Sequence, residues 1–304
     1  MLKLIKNISL KGEIMKTLLA IDGGGLFGIG VANWMPKLKN WKFDYYAGTS
    51  VGAILAASYA SGIAPLKVQE MFNGNLPKRI FTKPGFPWNL NPLRCSTYDN
   101  KEVKKVLLEV FGDTKVKDVK FPLIIVAWNY DKRKQKVFTN INNKNECSNG
   151  NYLLRDAVLA SMSAPTYFPI AEIREHANAP VENLGDGGVC GNDPSLAGIA
   201  AMQDDGIKIE DIKCLSICTG GDPKEKKLKM FSKAGWLPVV VDIITLGNVG
   251  YTSYCVKRIL DDRYCRVAPC TLPDGSMDDF SLVPKIKEVW ETHNHLEACK
   301  FLNS

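Results

Sequence analysis

The sequence predicts an α/β fold in which a central, mainly parallel sheet is the middle of three layers. Stretches with the apolar pattern of short strands alternate along the chain with stretches of helical spacing. One continuous apolar run, residues 121–128, is typical of a strand that is buried on both faces. No change in composition marks a domain boundary, so we expect one domain over residues 1–304. Its core motifs would lie in 16–220, and helical segments would close the chain in 236–304.

The chain begins with two strand–turn–helix units. Residues 18–21 form the first predicted strand, which runs into a glycine-rich turn and then a helix from about Gly28. Residues 43–47 form the second strand, which is followed by a helix of small residues over 51–61. Small side chains would let that helix lie close to the sheet.

The later elements follow the same alternation. They are a long loop over 74–97, an amphipathic helix that begins after Asp99 and ends at Gly112, a central strand over 121–128, a turn at 130–134 that leads into a strand at 137–138, helices over 153–161 and near 194–202, and strands over 213–219 and 264–267.

Composition narrows the function classes only slightly. The formal net charge of +7 favours anionic partners, either lipid headgroups or nucleic acid, without selecting one. The nine cysteines form no C-x-x-C pair and no His–Cys cluster, so we expect free thiols and no metal. Residues 1–20 lack the apolar run and cleavage site of a signal peptide, which predicts a cytoplasmic location. No stretch approaches the roughly 20 apolar residues of a membrane-spanning helix.

Ser50 lies in a G-x-S-x-G pattern between a predicted strand and a predicted helix. Such a turn can lift a serine hydroxyl clear of its own backbone, as a nucleophile elbow does. Gly48 and Gly52 remove side chains where the strand and the helix must pack tightly. The alternative is an ordinary strand-to-helix turn in which Ser50 caps the helix.

The glycine-rich turn over 22–28 has three interpretations. Consecutive glycine N–H groups at a helix N-terminus can face an oxyanion. Gly23, Gly25 and Gly28 also fit a dinucleotide fingerprint, with Asp44 at the distance of a ribose partner. A sugar-kinase-like phosphate loop is the third, although the nearby Thr or Ser that would assist a phosphate is missing. We favour the oxyanion loop.

A third turn, Asp186-Gly187-Gly188, supplies a carboxylate that could take a proton from the serine. The alternative for this turn is an ordinary Asp-Gly β-turn. Chain order would also allow a triad that uses His293 or His295 as the base. We favour a solvated helix face for both histidines.

Taken together, these blocks resemble the patatin-like phospholipase family over roughly residues 16–220. The blocks that carry the resemblance are the Asp-Gly-Gly-Gly run at Asp22, residues 48–52, residues 164–169, Asp186-Gly187-Gly188 with Asn192-Asp193-Pro194 after it, and residues 215–220.

The resemblance implies a lipid acyl hydrolase of phospholipase A type that uses a Ser–Asp dyad and neither metal nor cofactor. Ser50 would be the nucleophile, and Asp186 would be the general base. An oxyanion loop of Gly23, Gly24, Gly25 and Gly28 would bind the substrate through its N–H groups, while Gly48, Gly52, Gly187 and Gly188 would support the elbow and the aspartate turn.

One departure from the family pattern affects the expected activity. Phe27 stands where the family usually has Arg or Lys in the oxyanion loop. A catalytically weak member that binds lipid is therefore one alternative, and a nucleotide- or phosphate-binding protein that uses the glycine loop is the other.

Two segments mix cations with aromatic residues, as interfacial segments do. They are residues 78–81 together with Phe86 and Trp88, and residues 224–236. We therefore expect a lipid or phospholipid substrate with peripheral membrane contact, and no nucleic acid partner. The sequence leaves the oligomeric state open.

Overall fold

A computed structural model describes residues 15–38, 42–85, 96–141, 149–220, 236–270, 272–273 and 275–304. The strands are β1 (Lys16–Ile21), β2 (Tyr45–Thr49), β3 (Leu123–Asn129), β4 (Lys134–Thr139), β5 (Ala171–Ile173), β6 (Glu182–Asp186), β7 (Ile212–Ile217) and β8 (Tyr264–Val267). The helices are α1 (Gly28–Trp34), α2 (Val51–Ala60), α3 (Pro65–Asn73), α4 (Leu76–Ile80), α5 (Lys101–Phe111), α6 (Leu154–Ser161), α7 (Gly188–Gly191), α8 (Ser195–Asp204), α9 (Trp236–Leu260), α10 (Val283–Thr292) and α11 (Leu296–Asn303).

The strands form one sheet that is parallel through its centre. Its order is β5-β6-β3-β2-β1-β7-β8, and β4 also pairs with β3. Strands β1, β2, β3, β7 and β8 are joined by parallel ladders, whereas β4 and β6 pair with β3 in the antiparallel sense. The predicted α/β class with a mainly parallel sheet is therefore confirmed.

Both faces of the sheet are covered by hydrophobic clusters. Along β1, Leu19 and Ile21 belong to one cluster and Leu18 and Ala20 to the other, and all four are fully buried. Successive side chains of a strand point to opposite faces, so this alternation requires an apolar layer on each side. Residues of α2 and α6 supply one layer, and residues of α8 and α9 supply the other.

Strands β2 and β6 pair with successive stretches of the same edge of β3. Thr49, the last residue of β2, pairs with Val126, and Asp186, the last residue of β6, pairs with Ala127. The other edge of β3 is occupied by β4 over the same stretch. The two strands therefore approach from opposite directions, and their final residues meet.

The sequence interpretation missed part of this arrangement. It predicted only a glycine turn at Asp186, whereas the turn ends a strand, β6, in which polar and small residues alternate without an apolar run. The predicted loop over 74–97 contains a helix, α4, in its described part. Residues 86–95 lie outside the described residues.

Candidate active site

The loops that follow β1, β2 and β7 leave the sheet at its carboxyl edge, since these strands are parallel neighbours. Ligands of open α/β sheets bind in crevices at this edge. The glycine loop follows β1 and Ser50 follows β2, so the parallel order by itself brings the first two predicted motifs together.

Ser50 has the backbone of a strained elbow. Its φ of 55° and ψ of −124° lie where residues with side chains are rare. The N–H of Ser50 donates to the hydroxyl of Ser161 on α6 at 2.9 Å, which holds the turn from outside. A Cβ atom on Gly52 would lie 2.1 Å from the carbonyl oxygen of Ile21, and one on Gly48 would lie 2.2 Å from that of Gly52. The two glycines thus allow the strand and the helix to approach as the elbow requires.

Asp186 lies beside Ser50, and its side chain is shielded from solvent. The carboxylate accepts the N–H of Gly188 at 2.6 Å. Burial raises the pKa of Asp186 to about 6, although the Ser50 side chain and the Gly188 N–H oppose the rise. A Cβ atom on Gly187 would lie 2.2 Å from the carbonyl oxygen of Val126, so only glycine lets the turn cross β3 so closely.

Some N–H groups of the glycine loop donate hydrogen bonds within the described residues, and others do not. The N–H of Gly23 donates to the carbonyl of Asn192 at 3.1 Å, and that of Gly28 bonds to Gly25 and Leu26 within the turn. The N–H groups of Gly24 and Gly25 have no acceptor among the described residues. Gly25 has a φ of +57°, which favours glycine. Two of the four predicted loop glycines therefore keep an N–H group available, and the other two hold the loop in place.

A buried ion-pair cluster lies beneath this loop. Arg266 on β8 contacts the carboxylate of Asp22 at 3.0 Å and that of Asp193 at 3.1 Å. Burial holds the pKa of Asp22 above its usual range, and the guanidinium opposes that rise. Phe27, by contrast, packs into the hydrophobic core. Arg266 was not identified from the sequence, although it is the only charged residue of its strand.

An apolar cavity opens beside Ser50. Its volume is about 30 Å³, and its lining is dominated by carbon atoms. The residues that line it come from α2, α3, α4 and the loops between elements, and include Ile54, Phe72, Ile80, Phe81, Phe168 and Met277.

The first predicted interfacial segment borders this cavity. Ile80 and Phe81 line it and Arg79 pairs with Glu109, while membrane contact by the segment stays a prediction. Phe86 and Trp88, the other members of that segment, lie outside the described residues, as do residues 224–235 of the second predicted segment.

The histidines do not join the site. His293 lies against the rings of Trp34 and Trp290, with centroids 6.3 and 5.7 Å away. Both His293 and His295 are half-buried, so the expected solvated helix face is wrong. Among the described residues, neither histidine is a partner of the Asp186 carboxylate, which gives no support to a histidine triad.

Asp44 is not placed to bind a ribose. Its carboxylate accepts the N–H and the hydroxyl of Thr17, both at 2.9 Å, at the amino end of β1. The glycine loop starts at the other end of that strand, about 17 Å away at the usual rise per residue. The dinucleotide interpretation of Asp44 is therefore wrong. Within the described residues, no group of three His, Cys, Asp or Glu side chains is placed to hold a metal ion.

A family model and individual proteins of known sequence were compared with this chain, and the matches name one family. The family model of patatin-like phospholipases matches residues 19–198, a range that contains both Ser50 and Asp186. A cGAMP-activated phospholipase of Pseudomonas aeruginosa is 26% identical over 278 residues, covering 86% of this chain and 80% of that protein. Patatin-like protein 2 of Arabidopsis thaliana is 28% identical over 265 residues, covering 72% of this chain and 63% of that protein. The crystal structure of VipD from Legionella pneumophila aligns with a TM-score of 0.43 at 13% identity, covering 92% of this chain and 67% of that chain.

Proposed function

Because the chain belongs to the patatin-like phospholipase family, we propose that it hydrolyses carboxylic esters of lipids through Ser50 and Asp186. The observation that carries this proposal is the position of the Ser50 side chain, which is near enough to the buried Asp186 carboxylate to lower its pKa and lies beside an apolar cavity. A nucleophile within reach of its base is the first requirement of covalent acyl transfer.

Asp186 acts as the general base in the first step. The Ser50 hydroxyl oxygen attacks the ester carbonyl carbon while the carboxylate of Asp186 takes the hydroxyl proton. A pKa of about 6 keeps the carboxylate ionised at neutral pH and makes it more basic than a solvated aspartate. The hydrogen bond that the Gly188 N–H donates to Oδ1 holds the carboxylate toward Ser50.

The N–H groups of Gly24 and Gly25 stabilise the oxyanion that this attack creates. They face the elbow from the neighbouring strand end and are unengaged among the described residues. Removal of one such donor typically lowers the rate about 10²–10³-fold. Gly23 and Gly28 support the loop, and Arg266 fixes its first residue, Asp22, from below.

The cavity accepts the acyl chain. As the tetrahedral intermediate collapses, Asp186 returns its proton to the leaving alcohol, and the acyl group stays on Ser50 with its chain among Ile54, Phe72 and Phe168. Water, activated by the same carboxylate, then attacks the acyl-enzyme. The fatty acid leaves, and both side chains return to their starting state.

Labelling with a fluorophosphonate tests the proposal. Wild type should react covalently, Ser50→Ala should not, and Asp186→Asn should react far more slowly because no base remains. A variant that combines His293→Ala with His295→Ala is the matched control and should label normally. Wild type that binds lipid vesicles but neither labels nor hydrolyses esters would favour the catalytically weak alternative. A histidine variant without labelling would support the triad.

A further inference from the structure

Helix α9 is hydrogen-bonded to the turn that follows Asp186. The side-chain amide of Asn248 donates to the carbonyl of Gly188 at 2.8 Å, and its oxygen accepts the N–H of Asn192 at 2.9 Å. Toward the C-terminus of the helix, Val256 and Leu260 are fully buried against the sheet. In the sequence, the signal for this contact is weak: an asparagine within a long, largely apolar helix.

The N-terminal half of α9 extends past this contact point. Since β8 is parallel to β7 and begins directly after α9, the helix runs opposite to the strands. Asn248 already lies level with the turn at the carboxyl edge, so residues 236–247 continue beyond it for about 18 Å. Four aliphatic side chains of this half are solvent-exposed, with exposed fractions of 41% for Val240, 54% for Ile243, 40% for Ile244 and 46% for Leu246, whereas Thr245 is half-buried.

These four side chains cover a wide arc of the helix. At about 100° per residue they span roughly 160° of the circumference. A helix that packs on a protein surface presents an apolar stripe of about 100° or more. The width of the arc therefore shows a surface suited to apolar contact, and the residues that follow along the same face select the partner.

The side chains further along the same face follow the order of layers in a bilayer. Tyr251 and Tyr254 are 70% and 61% exposed and come one to two turns after the aliphatic group. Lys257 and Arg258 follow, and the Arg258 guanidinium lies 5.5 Å from the ring centre of Tyr254. Aliphatic, then tyrosine, then basic residues match the hydrocarbon, interfacial and phosphate levels of a membrane.

We propose that this α9 face, defined as Val240, Ile243, Ile244, Leu246, Tyr251 and Tyr254, docks the protein on a bilayer that contains anionic lipids. The proposal rests on the proposed function in one respect, since docking would bring Ser50 to its substrate. The described part of the chain contains no helix long and apolar enough to cross a membrane.

The link through Asn248 gives docking a geometric consequence. It fixes the exposed half of α9 to Gly188, two residues from Asp186. A bilayer bound to the α9 face therefore lies beside the carboxyl edge of the sheet, where the glycine loop and Ser50 are located.

Vesicle co-sedimentation tests docking separately from catalysis. All proteins carry Ser50→Ala, so the lipids stay intact, and the vesicles are phosphatidylcholine alone or mixed with phosphatidylglycerol. The test variant adds Ile243→Ser and Ile244→Ser. The control adds Leu66→Ser and Leu296→Ser, which are 63% and 55% exposed on α3 and α11. We expect the test variant to bind mixed vesicles about 10- to 100-fold more weakly and the control to bind as the parent does.

Activity assays keep the two proposals distinguishable. These assays use proteins that keep Ser50. The ratio of the rate of vesicle hydrolysis to the rate of monomeric ester hydrolysis should be at least tenfold lower in the test variant than in the parent. Equal vesicle binding by test variant and parent, with equal melting temperatures, would overturn docking and leave the hydrolase intact. A loss of binding in a protein that never hydrolyses esters would support docking and contradict the function. A parent that dimerises without lipid, and a test variant that is monomeric, would assign the face to a second copy and overturn the proposal.

Discussion

Replacing the carboxylate of Asp186 should make the protein more stable, with a pH dependence that reports its burial. Asp186→Asn removes a group whose pKa is raised from 3.8 to about 6 by burial. The asparagine oxygen can still accept the N–H of Gly188, and its amide can donate to Ser50. The substitution therefore removes the buried charge with little loss of hydrogen bonding.

The magnitude follows from the difference in pKa between the folded and unfolded states. A pKa raised on folding means that the folded state holds the proton more tightly, so the free energy of unfolding falls as pH rises from about 4 to about 6. At about 1.4 kcal/mol for each tenfold change in the ionisation constant, the full loss is about 3 kcal/mol above pH ~6. Asp186→Asn should therefore be more stable than wild type by about 3 kcal/mol at neutral pH and by almost nothing near pH ~4.

Urea unfolding of both proteins from pH ~4 to ~8 measures this difference. Asp118→Asn, at an exposed carboxylate, is the matched control and should follow wild type at every pH. The variant should also have lost ester hydrolysis. If its stability advantage does not grow with pH, or if it is less stable than wild type at neutral pH, burial does not raise the Asp186 pKa as described.

The remaining predictions concern the same site. The kcat/KM for a monomeric ester should rise with pH through an apparent pKa of about 6 as Asp186 ionises; a flat profile over pH ~5–8 would contradict its role as base. Ser50→Gly should be about 1 kcal/mol more stable than Ser50→Ala in urea, since relief of backbone strain of ~1–3 kcal/mol exceeds the added chain entropy. Gly52→Ala should lower the melting temperature severely, because its Cβ would lie 2.1 Å from a carbonyl oxygen, whereas Gly220→Ala, with no atom within 4 Å, should not. Arg266→Met should destabilise the fold by about 3–5 kcal/mol at neutral pH, and by less in acid, because it leaves two buried carboxylates unpaired.

The catalytic candidates were visible in the sequence because turns impose local requirements. Gly48 and Gly52 flank Ser50 since a strand and a helix must nearly touch there, and the four-residue spacing records that need. The same holds for Gly187, because a Cβ atom added to it would lie 2.2 Å from the carbonyl oxygen of Val126 on β3. The strand of residues 264–267 was also predicted with its observed limits.

Other features had no local signature. Ser161 holds the elbow from α6, yet it lies in a run of small polar residues that differs little from an ordinary helix end. The sequence also did not show that Ile80 and Phe81, in the segment predicted to contact a membrane, line the cavity beside Ser50, because apolar side chains near a surface can turn into a cavity as readily as toward lipid.

The alternating α/β plan, the three tight turns and the candidate serine and aspartate could be predicted from the sequence, because each depends on neighbours within a few residues. The meeting of β2 and β6 on one edge of β3, which brings Ser50 to Asp186, depends on long-range packing. So do the pairing of Arg266 with Asp22 across 244 positions and the exposure of four aliphatic side chains on α9. These outcomes depend on which distant surfaces pack together, and the spacing of residues along a chain carries no record of that choice.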